Sequence, residues 1–135
     1  MKKFLAKVFK TTMFDRCNTF CIDEAFTGDG PSTDIVDLGT NPQRHGSRRS
    51  ALICITETFA GATTMTAKLQ TSIDEAFSVT KDVVYESDDL EAGASIELPF
   101  PKDLFRYARV YFEFDVPPTA GKVTAGIVLD GEADY

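Results

Sequence analysis

From residue 51 onward, apolar and polar residues alternate with period two in one segment after another, each bounded by turn chemistry, which is the pattern of half-buried β-strands. The clearest stretch runs from Arg106 to Val116. Ala108, Val110, Phe112, Phe114 and Val116 share one face there, and Tyr107, Arg109, Tyr111, Glu113 and Asp115 share the other. Residues 122–130 repeat the rule with Val123, Ala125, Ile127 and Leu129 inward, and the Pro117-Pro118-Thr119-Ala120-Gly121 link suits a tight connection, so the two segments are expected to form a hairpin. Further strands are predicted over 51–59, 63–72, 78–86 and 94–100, with shorter ones at 33–38 and 18–26. Helix is scarce. Its best internal chance is a turn at Pro101-Lys102-Asp103-Leu104-Phe105, where proline opens the turn. About seven or eight antiparallel strands without a long helix predict an all-β sandwich or barrel.

The segment Gly39 to Ser50 has no periodicity and reads as an exposed loop. Its Arg44, His45, Arg48 and Arg49 form the basic cluster of an otherwise acidic body, suited either to an acidic partner surface or to plain solvation. The pentapeptide Ile22-Asp23-Glu24-Ala25-Phe26 recurs as Ile73-Asp74-Glu75-Ala76-Phe77. Two copies fall short of a solenoid and are read as similar strand-to-turn junctions.

Charge separates the amino terminus from the rest. Of 135 residues, 14 are Lys or Arg and 21 Asp or Glu, for a net charge of -7. Residues 1–16 carry five of the cations against Asp15 alone, a net of +4, so the remainder carries -11. This divides the chain into a basic arm, 1–16, and a single sandwich domain, 17–135. Phe4, Leu5, Val8 and Phe9 fall at helical spacing, but a helix this short is marginal in water and is expected to order only against something else. Lys7 and Lys10 interrupt any apolar core that a secretory signal would need. No apolar run reaches the ~18 residues of a membrane span, and the acidic balance disfavours direct nucleic-acid binding.

Candidate chemistry is thin. Cys17, Cys21 and Cys54 make an odd count without the spacing of a zinc knuckle or a secreted disulfide framework. The single histidine, His45, has no nucleophile motif beside it. Glu86, Asp88, Asp89 and Glu91, and Asp130, Glu132 and Asp134, are plentiful acids in turn-like segments, which solvation explains, and no calcium or phosphate-binding loop is present. The expectation is a protein that is not an enzyme and holds no metal or cofactor.

Three stretches read together carry a resemblance: Ser32-Thr-Asp-Ile-Val-Asp-Leu-Gly39, Lys68-Leu-Gln-Thr-Ser-Ile-Asp-Glu-Ala-Phe77 and Thr119-Ala-Gly-Lys-Val-Thr-Ala-Gly-Ile-Val-Leu-Asp130, with the intervening Leu98-Pro-Phe-Pro-Lys-Asp-Leu-Phe-Arg-Tyr-Ala-Arg-Val-Tyr-Phe-Glu-Phe114. In this order they resemble the Bbp16-like capsid cement proteins of tailed bacteriophages, over about residues 22–130. The resemblance implies a compact jelly roll on the outer surface of a capsid built from HK97-fold subunits, commonly a homodimer bridging neighbouring capsomers. It implies a virion protein made in the host cytoplasm, with the major capsid protein as partner and no enzyme activity. The chain departs from the family in the arm and the arginine loop. Candidate capsid-binding residues are therefore read from charge and apolar pattern alone: Lys2, Lys3, Phe4, Leu5, Lys7, Val8, Phe9, Lys10, Arg44, Arg48 and Arg49, with Tyr107, Arg109 and Tyr111 as a possible interface. The competing expectation is a ligand-binding jelly-roll module that recognises a glycan or another surface protein.

Overall fold

A computed structural model describes residues 19–39, 49–100 and 105–129. Among these residues every regular element is a strand: β1 (Thr19–Ala25), β2 (Gly30–Pro31), β3 (Val36–Asp37), β4 (Arg49–Ala60), β5 (Met65–Ser72), β6 (Thr80–Ser87), β7 (Ser95–Pro99), β8 (Tyr107–Phe114) and β9 (Ala120–Leu129). They build two antiparallel sheets. Sheet A has the order β1-β9-β4-β7, and sheet B the order β2-β8-β5-β6 with β3 also pairing β8.

One folding rule accounts for that order. If β2 and β3 count as one interrupted strand, the pairs are first with last (β1–β9), then β2 and β3 with β8, β4 with β7, and β5 with β6. This is a long hairpin rolled up so that successive pairs fall alternately in the two sheets, the jelly-roll wrapping. The two inner faces meet in one core. Sheet A contributes Ile53, Ile55, Ile96, Leu98, Val123, Ala125 and Ile127, and sheet B contributes Met65, Ala67, Leu69, Ala108, Val110 and Phe112. Phe26 closes one side, its ring edge-on to Phe112 at 4.9 Å between centroids.

The alternation of residues 106–116 is realised in β8, where Ala108, Val110 and Phe112 are fully buried and Tyr107, Arg109, Tyr111 and Glu113 are half-buried on the opposite face. Val116 departs from that reading and is exposed, because the strand ends at Phe114. The expected hairpin of β8 with β9 does not form: β8 pairs β5, β2 and β3, and β9 pairs β1 and β4. The Pro117-Pro118 link instead crosses from sheet B to sheet A, where Thr119 N–H donates to the Ala60 carbonyl at 2.7 Å. Two prolines cannot donate to a ladder, so the link is suited to a crossing. Its companion crossing, between β4 and β5, is fastened by Asp115, whose carboxylate accepts the Thr63 and Thr64 amides at 3.0 Å each and the Thr63 hydroxyl.

The segment expected as a strand at 33–38 is broken. Ser32 N–H donates to the Val110 carbonyl in sheet B, and Asp34 N–H donates to the Phe20 carbonyl in sheet A, so the chain spans the edge of the sandwich between β2 and β3. The repeated pentapeptide does not repeat in structure. Its first copy lies in β1 with the positive φ at Asp23 (46°), and its second lies in the β5–β6 turn with the positive φ at Phe77 (54°). The shared outcome is an exposed isoleucine and a buried phenylalanine in each.

Candidate functional site

Because residues alternate across a strand, β8 presents Tyr107, Arg109, Tyr111 and Glu113 in a row on the outer face of sheet B, and the antiparallel register sets Ser72, Gln70, Lys68 and Thr66 of β5 beside them in that order. These cross-strand pairs hold the row in place. Arg109 Nε donates to Gln70 Oε1 at 2.8 Å, and its guanidinium lies 4.2 Å over the Phe77 ring and 5.7 Å from that of Tyr111. Lys68 Nζ is 3.2 Å from Glu113 Oε1. At the end of the row, Arg106 grips Asp37 of β3 with both prongs, Nε to Oδ1 at 2.8 Å and Nη2 to Oδ2 at 2.9 Å, while its guanidinium stands 5.1 Å over the Tyr107 ring.

The electrostatics follow from this geometry. The two bonds from Arg106, joined by one from the Gly39 amide, hold the Asp37 carboxyl down to about 2. Partial burial lowers the Arg109 pKa, the cation being less well solvated on the sheet than in water. The arrangement is a row of tyrosines and arginines on one sheet face, with Arg109 held by Gln70 and Phe77 and Arg106 by Asp37. Tyr and Arg are the residue types that concentrate binding energy at protein interfaces, and fixing their side chains beforehand reduces the entropy lost on docking.

The two remaining cysteines of the described region are poorly suited to chemistry. Burial pushes the Cys21 thiol up to about 12 and the Cys54 thiol up to about 11, so both are protonated at neutral pH. Among the described residues, no group of three or more His, Cys, Asp or Glu side chains is placed to hold a metal ion.

Tyr107, Arg109 and Tyr111 are therefore brought together on one face of β8, as the alternation predicts. Arg49 is not where the loop reading puts it. Arg49 and Ser50 begin β4; Arg49 is half-buried, and its guanidinium lies 5.2 Å over the Phe100 ring. Pairing with Leu129 of β9 extends β4 by those residues, which the arginine-rich composition had concealed. Lys2, Lys3, Phe4, Leu5, Lys7, Val8, Phe9, Lys10, Arg44 and Arg48 lie outside the described residues, as do His45 and the helical turn expected from Pro101. Sequence reasoning missed Gln70, Phe77, Arg106 and Asp37 as parts of the face. Gln70 was within reach, since it alternates with Lys68 along β5, but Asp37 joins only through the pairing of β3 with β8.

Residues 20–127 match the family model Bbp16. No curated protein matches the chain.

Proposed function

The chain belongs to the Bbp16 family, a phage-associated family, and from that premise we propose that it is a cement protein, binding the outer surface of an HK97-fold capsid and stabilising the expanded shell by bridging neighbouring capsomers. Membership points to a structural protein of the phage virion; the partner and the mode of binding are this proposal's own. The observation that carries it is the Tyr107, Arg109 and Tyr111 row on the outer face of sheet B, with Arg109 held by Gln70 and Phe77. Such a face can dock as a body onto a folded partner. A protein that binds the assembled lattice better than its open or burst forms stabilises the shell by linkage, and modest contacts suffice when they are repeated over the whole particle. The partner is the major capsid protein, the cement protein acts as a homodimer or other homo-oligomer, and it works without turning over a substrate or contacting nucleic acid or membrane. Cations of the arm and of Arg44 and Arg48 add long-range attraction to acidic capsid surface.

The test is to add purified protein to expanded shells that lack it. Binding is expected to saturate, to appear at symmetry-defined positions in a cryo-electron reconstruction, and to raise the temperature at which shells disrupt. Arg109→Ala with Tyr111→Ala should weaken binding while leaving the fold intact. Absence of binding to any shell, together with specific retention on an immobilised glycan, would replace this reading by the ligand-binding module.

A further inference from the structure

A strand at the edge of a sheet offers unpaired N–H and C=O groups, a template for pairing with another chain unless something blunts it. Among the described strands, three of the four sheet edges are blunted. β1 carries two register shifts against β9 and the positive φ of Asp23. β7 is five residues long and ends at Pro99. The far edge of sheet B is split into β2 and β3, two residues each, with Pro31 in the first. β6 has none of these devices. Thr80–Ser87 pairs β5 over eight positions without a shift, contains no Gly or Pro, and is bonded to no other described strand. Its single lysine, Lys81, is drawn over the Phe105 ring of its own domain, Nζ 4.8 Å from the centroid.

The registers fix which backbone groups this edge offers. Ser32 N–H donates to the Val110 carbonyl and Leu38 N–H to that of Arg106, so the even-numbered residues of β8 turn their backbone groups toward β2 and β3 and the odd-numbered ones toward β5. Carried through the pairing of β8 with β5 and of β5 with β6, this bonds Lys81, Val83, Tyr85 and Ser87 to β5. Thr80, Asp82, Val84 and Glu86 then turn their N–H and C=O groups out to the open edge. Apolar side chains stand beside them: Val84 is 56% exposed and Tyr85 50%.

We propose that two copies of the chain meet at this edge, β6 lying antiparallel to β6 of the second copy about a two-fold axis at Val83. Such an axis sets one residue opposite itself, so the choice of centre fixes every other pair. Centring on Val84 puts Asp82 opposite Glu86 of the second copy, twice, and centring on Asp82 puts two aspartates opposite each other; both are like-charge pairs. Centring on Val83 puts Asp82 opposite Val84, Lys81 opposite Tyr85 and Thr80 opposite Glu86, and no like charges meet. The outward backbone groups then bond in two kinds of pair, Asp82 with Val84 and Thr80 with Glu86, while Val83, Val84 and Tyr85 make an apolar centre. The charges on the edge thus select one register of self-pairing, which favours a second copy over an extended segment of another protein. Sheet B becomes continuous through both copies. Because the axis runs across that sheet, the two Tyr107, Arg109 and Tyr111 rows face the same way, about 24 Å apart at the usual strand spacing. The interface names the contact within the homo-oligomer proposed above and rests on that reading for its use, the presentation of two docking rows to neighbouring capsomers.

Two measurements on the full-length chain decide it. In sedimentation velocity across the micromolar range the parent is expected to run as a dimer. Val84→Pro removes an N–H that faces the second copy and none that bonds β5, a change an edge strand tolerates. It should raise the dimer Kd by about tenfold or more, the effect of one hydrogen bond lost per copy, while circular dichroism still shows a folded, cooperatively melting domain. A parent that stays monomeric, or a folded Val84→Pro variant that dimerises like the parent, would overturn the proposal. The second measurement compares disulfide formation between copies under mild oxidation, in a Cys17→Ser background. Position 83 meets itself at the axis with Cα atoms about 4.5 Å apart, within disulfide reach, whereas the two positions 85 are offset by about 14 Å. Val83→Cys should therefore cross-link at least about tenfold faster than Tyr85→Cys, although Tyr85 is the more exposed residue. Comparable rates, or a faster Tyr85→Cys, would overturn the register and the interface with it; if Val84→Pro fails to fold, these rates decide. A β6 dimer that binds no shell would remove the capsid reading and leave this interface standing, and shell binding by a protein that is monomeric or joined elsewhere would do the reverse.

Discussion

Gly121, near the start of β9, has a φ of 147°, a region that side chains rarely enter, and a Cβ built on it would lie 2.0 Å from Cδ1 and 2.5 Å from Cγ and Cε1 of Phe59. The Phe59 ring has nowhere to retreat: it is buried and packs against Phe114 at 5.1 Å between centroids. Gly121→Ala therefore forces two costs at once, an overpacked contact of about 1–3 kcal/mol and a backbone strain of about 1–2 kcal/mol. Together they should lower stability by roughly 2–5 kcal/mol, which for a domain of this size is a fall of about 6–20 °C in Tm. Circular dichroism melts and urea titrations measure this. The double variant Gly121→Ala, Phe59→Ala separates the two costs, since truncation to Cβ removes all three overlapping atoms and leaves the backbone strain, giving a coupling of about 1–3 kcal/mol. A Tm within about 2 °C of the parent would refute the reasoning. So would a loss from Gly121→Ala that is the same in both backgrounds, because the clash would then not be its cause.

Phe112→Asp should cost more than about 4 kcal/mol by placing an unpaired charge at a fully buried site, whereas Arg109→Ala, on the outer face of the same strand, should cost about 1 kcal/mol; similar melting losses would mean that the faces of β8 are wrongly assigned. Asp37 has a folded pKa near 2 against an ordinary 3.8, so its contribution is complete above about pH 4 and is lost as pH falls through about 2; Asp37→Asn should flatten the acid limb of a Tm-against-pH profile, and an unchanged limb would deny the Arg106 pairing that role. Asp115 is also held low, chiefly by the Thr63 hydroxyl, and Asp115→Asn should lower Tm at neutral pH more than at pH 2, a difference whose absence would count against the turn clasp. Shell occupancy should fall as ionic strength rises past ~0.1 M, where screening reaches about 10 Å, and salt-insensitive occupancy would assign the contact to apolar and aromatic groups instead.

Alternation made β8 and its inward row legible, because a strand in the middle of a sheet with one side wet writes its two faces into the sequence. The long run Arg49 to Ile55 was harder to read at its start. Both sides of that strand are buried, so Ser50, Leu52 and Cys54 do not contrast with Ala51, Ile53 and Ile55, and the arginines just before them read as loop. Pairing was not legible locally. The Pro117-Pro118 link looked like a hairpin connection since length and turn residues are the same for a crossing; only the partners of β8 and β9, far away in sequence, distinguish the two. The β8 interface was visible as far as Tyr107, Arg109 and Tyr111, but the groups that hold it come from β5, the β5–β6 turn and β3, and register alone brings them there.

The pairing of β1 with β9 has a consequence for synthesis. Cys21 and Val123 touch although they lie 102 positions apart in the chain, and β1 is bonded to no other strand among those described. Among the described strands, β1 thus has no partner until β9 has been made, and sheet A cannot close before then. Completion of the fold should wait for β9 and should be slow, in the millisecond to second range typical of sheets built from distant pairings. Through that interval, the exposed backbone edges of the β4 and β7 region invite association with other nascent copies. High-level expression should accordingly be limited by aggregation before folding, and slowing synthesis or lowering temperature should recover soluble protein.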